Sequence, residues 1–136
     1  MLTVVAAILE RDGRMLIGQR RPGGSHALKW EFPGGKVESG ESNEVAIIRE
    51  LREELAIEAA GAREIHRYEY AYPGKRPLLL VFLRIETFTG EPVNHAFAKI
   101  AWEHPSAFRR YDFLDGDREF LIWLASGSSQ TASESA

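Results

Sequence analysis

No cysteine occurs among the 136 residues of this chain. Disulfides and thiolate-bound metals are therefore excluded, and any metal must be held by oxygen or imidazole. The absence fits a reducing compartment. Long apolar runs are missing too. The stretch from Leu2 to Leu9 is apolar, but a bilayer needs about 20 such residues. It also lacks the basic start and small-residue cleavage site of a signal peptide. The expectation is a cytoplasmic protein with no membrane partner. Nor is there an excess of positive charge, the formal net charge being −3. Binders of nucleic-acid polymers usually carry a basic surface. One small anion stays within reach, because a local metal or basic cluster outweighs the global charge.

What is present suits one soluble domain. The length and the 44% hydrophobic content allow a core without staples. We expect that domain over residues 1–125, as monomer or homodimer. Residues 126–136, rich in serine and small side chains, read as a disordered tail. The pattern predicts a first strand over 3–9, a turn at Asp12-Gly13, and residues 14–20 returning as its hairpin partner. Pro22 to Ser25 is a loop, and residues 30–32 form a short strand running into Pro33-Gly34-Gly35. Further strands are expected near 63–72, 77–87 and 100–102, and a last helix near 117–125. Strands on both sides of a long helix, plus a closing helix, give an α/β class with a mixed sheet sandwiched between helices.

The long helix is expected over 43–56 with Ser42 as its N-cap. Ile47, Ile48, Leu51 and Leu55 share an arc of about 100° that faces the core. Glu50, Glu53 and Glu54, at i, i+3 and i+4, project together beside that stripe and are expected to face solvent. Like charges at this spacing repel by a few tenths of a kcal/mol per pair. One reading is a solvated charged face, with Arg49 pairing to Glu53. The other is that hard oxygen ligands converge on Mg²⁺ or Mn²⁺, which cancels the repulsion and can bridge a diphosphate.

The longer constellation favours the second reading. Gly35, Glu41, Arg49-Glu50-Leu51, Glu53-Glu54 and Ile57 match the pattern G-x5-E-x7-R-E-U-x-E-E-x-G-U, with U aliphatic. Six such matches arise by chance on the order of 10⁻⁷ per start point. The stretch resembles the Nudix box, and the chain is similar to Nudix hydrolases. That resemblance implies the Nudix fold and a Mg²⁺-dependent enzyme that cleaves a nucleotide-type diphosphate linkage. It implies that Glu50, Glu53 and Glu54 hold the cations, with Glu53 and Glu50 at the catalytic centre. Gly35 would set its backbone against the metals, Arg49 would orient a glutamate, and Glu41 would order the loop. Lys36 is either a phosphate contact or a solvated lysine.

Two positions depart from the pattern. Ala56 replaces the glycine near the helix end, at a cost of about 1 kcal/mol if a left-handed cap persists. Similar enzymes also often carry a glutamate after a Gly-Glu-Pro turn, as metal ligand or base. Laying Gly90-Glu91-Pro92 on that turn puts Ala96 at its place.

Residues 30–36 further resemble the MutT-like branch, which hydrolyses nucleoside triphosphates, often oxidised ones, to monophosphate and pyrophosphate. The resemblance places Arg76 near the nucleobase and Asp117, at the start of the last helix, on a base edge. Asp117 is equally readable as an N-cap, and Arg76 as a turn charge. Phe32 and Tyr72 either line the base pocket or belong to the core. Arg20 and Arg21, ending the second strand, come within reach of substrate. The rival readings are a Nudix hydrolase acting on a nucleoside diphosphate sugar, a dinucleoside polyphosphate or NADH, and a catalytically weak nucleotide sensor.

Overall fold

Leu78 to Leu83 is apolar at every position, a pattern that demands cover on both faces of a strand. The fold supplies it. The computed structural model describes residues 1–127. In chain order they form β1 (Leu2–Ile8), β2 (Glu10–Arg11), β3 (Arg14–Gln19), β4 (Trp30–Glu31), β5 (Gly34–Lys36), α1 (Asn43–Leu55), β6 (Glu58–Tyr70), β7 (Leu78–Thr89), β8 (Lys99–Glu103) and α2 (Arg118–Ala125). One sheet runs β5-β1-β7-β6. It is mixed, because β1 lies parallel to β7 while β5 and β6 run antiparallel to their neighbours.

Period-two alternation divides this sheet into two faces. Val5, Ala7, Val81, Leu83 and Ile85 pack with Ile47, Leu51 and Leu55 of α1. Ile8, Leu80 and Phe82 face the other way, onto Phe32, Phe113 and Phe120. Phe120 of α2 stacks on Phe82 with centroids 4.0 Å apart. The sheet is thus held between α1 and α2, as the sequence implies.

A second sheet was not foreseen. Strand β3 pairs with β2, β4 and β8, all antiparallel. Residues 14–19 therefore do not return along the first strand. Their hairpin partner is the two-residue β2, joined through Asp12 (φ 54°) and Gly13 (φ 77°). The reason is that β1 is committed to β7 over seven pairs, Leu2 with Leu78 through Ile8 with Arg84, so the chain leaves that sheet at Leu9. Strand β5 adds to the expected elements: Gly34 and Gly35, into which the strand over 30–32 was expected to run, pair antiparallel with Ala6 and Val5. Strand β6 also starts earlier than expected, at Glu58.

Helix α1 follows its sequence signals. Ser42 Oγ accepts from the Val45 N–H at 3.1 Å. Ala46, Ile47, Leu51 and Leu55 are buried, and Ile48 partly so. Ala56 ends it in the left-handed conformation (φ 55°, ψ 35°), its N–H donating to Arg52 O. At the other end of the chain, Ser126 and Gly127 form a hydrogen-bonded turn on α2. The rest of that expected tail, residues 128–136, lies outside the described residues.

Candidate active site

The site begins with two glycines that bring β5 against α1. Gly34 has φ +153°, and a Cβ there would stand 1.9 Å from Val5 O. Its N–H donates to Glu54 Oε1 at 2.9 Å. A Cβ on Gly35 would meet Glu50 Oε1 at 2.5 Å. The missing side chain of Gly35 is therefore what lets the Glu50 carboxylate lie on the strand, and that of Gly34 lets β5 pair closely with β1.

Arg49 organises the remaining acids. Its Nε and Nη2 donate to the two oxygens of Glu41 at 2.7 and 2.9 Å, and Nη1 donates to Glu50 at 3.0 Å and Glu53 at 3.4 Å. Nη2 also reaches Lys36 O at 3.1 Å, which ties the helix to the end of β5. Glu41 in turn accepts from the Glu38 N–H and so closes the loop before α1. The Arg49 guanidinium, with that N–H, holds the Glu41 carboxyl down to about 2. The fork-on-carboxylate geometry is the strong form of this contact.

One expectation about the glutamates is corrected. Only Glu53 faces solvent, its side chain 59% exposed, whereas that of Glu50 is 14% exposed and Glu54 is largely buried. The close approach of β5 covers them. Burial pushes Glu54 up to about 8, and the neighbouring carboxylates of Glu50, Glu31 and Glu53 push in the same direction against the Gly34 N–H. Burial raises Glu50 as well, with Arg49 opposing. Among the described residues no three acidic or imidazole side chains are gathered at ligating distance. The donor chemistry still fits a hard divalent cation. Crowded, partly buried carboxylates whose mutual repulsion a cation relieves stand against a glycine backbone with no room for a side chain.

Two cavities meet at Glu54. The first, of about 300 Å³, is lined by Glu54, Gly35 and Lys36 and also by Arg20, Glu31 and Asp117. The second, of about 250 Å³, is lined by Arg20, Arg21, Glu31, Glu54 and Ala96. Asp117 is 7% exposed, and burial first, then the Glu31 carboxylate, raise its carboxyl to about 8, with Arg20 opposing. It occupies the N-cap position of α2 but makes no side-chain capping bond, so the cap reading of its carboxyl fails. Tyr72 lines the first cavity and accepts from the Gly116 N–H at 3.0 Å. Phe32 is 3% exposed and packs on Phe82, Phe108, Phe113 and Phe120, so it is core with an edge on the cavity.

Arg20 donates to both oxygens of Glu31 at 3.2 Å and to Ser25 O at 3.0 Å. Arg21 reaches His95 O at 3.3 Å and bridges to the loop that carries Ala96. Arg76 is not brought in. It is exposed on the turn after Tyr72 and lines neither cavity, because the chain reverses there before entering β7. Glu31 was missed by sequence reasoning. A lone acid between Trp30 and Phe32 was its one signal, and burial pushes its carboxyl up while Arg20 opposes. His26, in a glycine-serine loop, gave no signal at all.

Comparison with known proteins agrees with this geometry. The NUDIX domain model matches residues 1–124. A CTP pyrophosphohydrolase of Escherichia coli (strain K12) is 38% identical over 121 residues, 89% of each chain. An 8-oxo-dGTP diphosphatase of Haemophilus influenzae is 38% identical over 122 residues, again 89% of each. The solution structure of the E. coli ORF135 protein superposes with a TM-score of 0.83 at 36% identity, covering 93% of this chain and 90% of that one. A MutT structure from the study of Aliivibrio salmonicida and Vibrio cholerae gives 0.78 at 26% identity, covering 92% and 97%. A match over almost the whole described chain, with the acidic helix and its glycine entry in place, makes this protein a Nudix hydrolase, a member of the NUDIX domain family.

Proposed function

We propose that the protein is a Mg²⁺-dependent nucleoside triphosphate pyrophosphohydrolase that converts oxidised or otherwise non-standard (deoxy)nucleoside triphosphates to monophosphate and pyrophosphate. One observation carries this reading. A single cavity is lined by Glu54, Gly35 and Lys36 and also by the half-buried Glu31 and the buried Asp117. The first three suit phosphates, and the other two suit a base edge. The relatives named for CTP and 8-oxo-dGTP support the substrate class. Among the described residues no helix is long and apolar enough to cross a membrane, which suits action on free nucleotides in the cytoplasm.

Glu50, Glu53 and Glu54, with the Gly35 backbone, are the residues that would hold Mg²⁺ or Mn²⁺. When bound, the metal neutralises charge on the phosphate oxygens as a phosphorus–oxygen bond breaks. Arg49 keeps Glu50 and Glu53 aimed, and its bond to Glu41 fixes Arg49 in turn. Lys36 and Arg20 offer positive charge along the phosphate path. Water attacks an internal phosphorus, the bond to the bridging oxygen breaks, and a carboxylate takes the proton. Asp117, kept neutral by burial, can donate to a base acceptor as well as accept from an exocyclic amine.

A hydrolysis screen in which the products are separated and identified by chromatography tests this. CTP, 8-oxo-dGTP and the ordinary dNTPs are compared with a nucleoside diphosphate sugar, a dinucleoside polyphosphate and NADH, each with and without Mg²⁺. Metal-dependent pyrophosphate release confined to triphosphates is expected. Faster cleavage of any other class, or none at all, overturns the proposal.

A further inference from the structure

The loop between Arg21 and Trp30 bears on the cavity through a residue to which nothing above gives a role. His26 lines the first cavity and stands with its ring 4.6 Å from that of Tyr72, the planes inclined at 42°. Tyr72 is fixed from behind. Its hydroxyl accepts from Gly116, its ring meets Tyr70 edge-on at 4.9 Å, and Gly116 has no space for a Cβ, which would come within 2.7 Å of that hydroxyl. His26 itself is exposed at the cavity mouth, and among the described residues its one ring contact is Tyr72. His66 makes a contrast: it is stacked on Trp123 at 11° and lines no described cavity.

The backbone under His26 is held in an uncommon state. His26 (φ 53°) and Leu28 (φ 64°) are both left-handed without being glycine. Such conformations persist only where surrounding bonds enforce them, and they cluster at ligand clamps. Here the enforcing group is Arg20. Its Nε and Nη2 donate to Ser25 O and Oγ at 3.0 and 3.2 Å, and its backbone O accepts from the Leu28 N–H at 3.1 Å. Nη1 of the same guanidinium grips Glu31 beside Asp117. The position of the imidazole is therefore tied to the acids at the base edge.

We propose that His26 is a specificity-determining residue of the base cavity, whose imidazole, backed by Tyr72, is the wall on which the face of the nucleobase stacks. The proposal rests on the reading that this cavity takes a nucleobase. Stacking is indifferent to base identity but grows with ring area, so His26 favours purines over pyrimidines. As a contact to the face of the base and not to the phosphates, it acts on binding and not on the chemical step.

His26→Ala and His26→Phe are compared with the unaltered enzyme on 8-oxo-dGTP and CTP at saturating Mg²⁺. The alanine variant is expected to raise KM for 8-oxo-dGTP about tenfold and for CTP less, with kcat unchanged. Phenylalanine, which stacks but carries no imidazole nitrogen, restores KM and the ranking. The melting temperature is unchanged in both. A fall in kcat with KM constant, or an equal loss for both nucleotides that phenylalanine does not restore, overturns the proposal. A second arm separates this proposal from the reading beneath it. The two monophosphates, 8-oxo-dGMP and CMP, are titrated into the unaltered protein while the imidazole resonances are followed by NMR. Perturbation of His26, with weaker binding by the alanine variant, supports the wall even if neither triphosphate is turned over. Binding that leaves His26 unperturbed overturns the wall alone, and no binding of either monophosphate overturns both.

Discussion

Glu53 and Glu54 are adjacent in the chain, yet one is open to solvent and the other is half-buried on the Gly34 N–H. Their substitutions should differ accordingly. Glu53→Gln should abolish turnover while leaving the melting temperature unchanged, because it loses only a 3.4 Å contact to Arg49 and relieves like-charge repulsion. Near-normal turnover at saturating Mg²⁺ would remove Glu53 from the metal site. Asp117 supports a second prediction. Its carboxyl is raised to about 8 in the folded protein, above its ordinary value of 3.8. The folded state therefore binds this proton more tightly than the unfolded chain. Its contribution is fully present below about pH 4 and is lost as pH rises toward 8. Asp117→Asn, which cannot ionise, should gain in melting temperature relative to the parent between pH 5 and pH 8, read by calorimetry without metal. Asp117→Ala should cut kcat/KM for the preferred nucleotide roughly ten- to a hundredfold and flatten base selectivity. Unaltered selectivity would withdraw it from the base site.

Helix α1 carries the acids proposed as metal ligands, so its ends govern how rigidly they are held. The Ser42 cap fixes the start, and Arg49, bonded to Glu41 and to Lys36 O, clamps the middle onto the preceding loop. The far end is less favourable, since Ala56 takes a left-handed conformation that suits glycine. Ala56→Gly is expected to stabilise the protein by about 1 kcal/mol, raising the melting temperature by roughly 4 °C in a domain of this size. Because residue 56 is exposed and touches no substrate, kcat should not change. Loss of stability would mean that unfolded-chain entropy outweighs relief at the cap.

At the scale of the molecule, the site is assembled by convergence of distant segments. Strand β5, the Arg20–Lys29 segment, the loop before β8 and the turn before α2 meet around the two cavities that Glu54 lines. The His95 N–H donates to Glu54 O at 2.9 Å, and Ala96 lines the same cavity as Glu54. The loop that resembles the acid-bearing loop of similar enzymes thus reaches the acidic helix, with a methyl group where a carboxylate is often found. Ala96→Glu is therefore expected to raise kcat at saturating Mg²⁺, measured by pyrophosphate release. An unchanged or lower rate would show that another group already serves as base.

Local patterns were enough to identify α1, its caps and its core stripe, because helix period, capping side chains and the glycine-acid spacing are written within some twenty consecutive residues. The family and the mixed α/β class followed from them. Sequence could not show that β1 runs parallel to β7, since pairing between strands some seventy residues apart leaves no local signature, and the second sheet was hidden for the same reason. Nor could it show which of the three glutamates is exposed. Helical spacing puts them on one arc, but the strand laid across that arc partly covers two of them. Glu31, His26 and Asp117 share a cavity only because the two sheets and the start of α2 close around it. Residue type and spacing determined the chemistry available to this protein, whereas the packing of segments distant in sequence decided which of those groups meet, because burial and mutual charge depend on neighbours that the local sequence does not name.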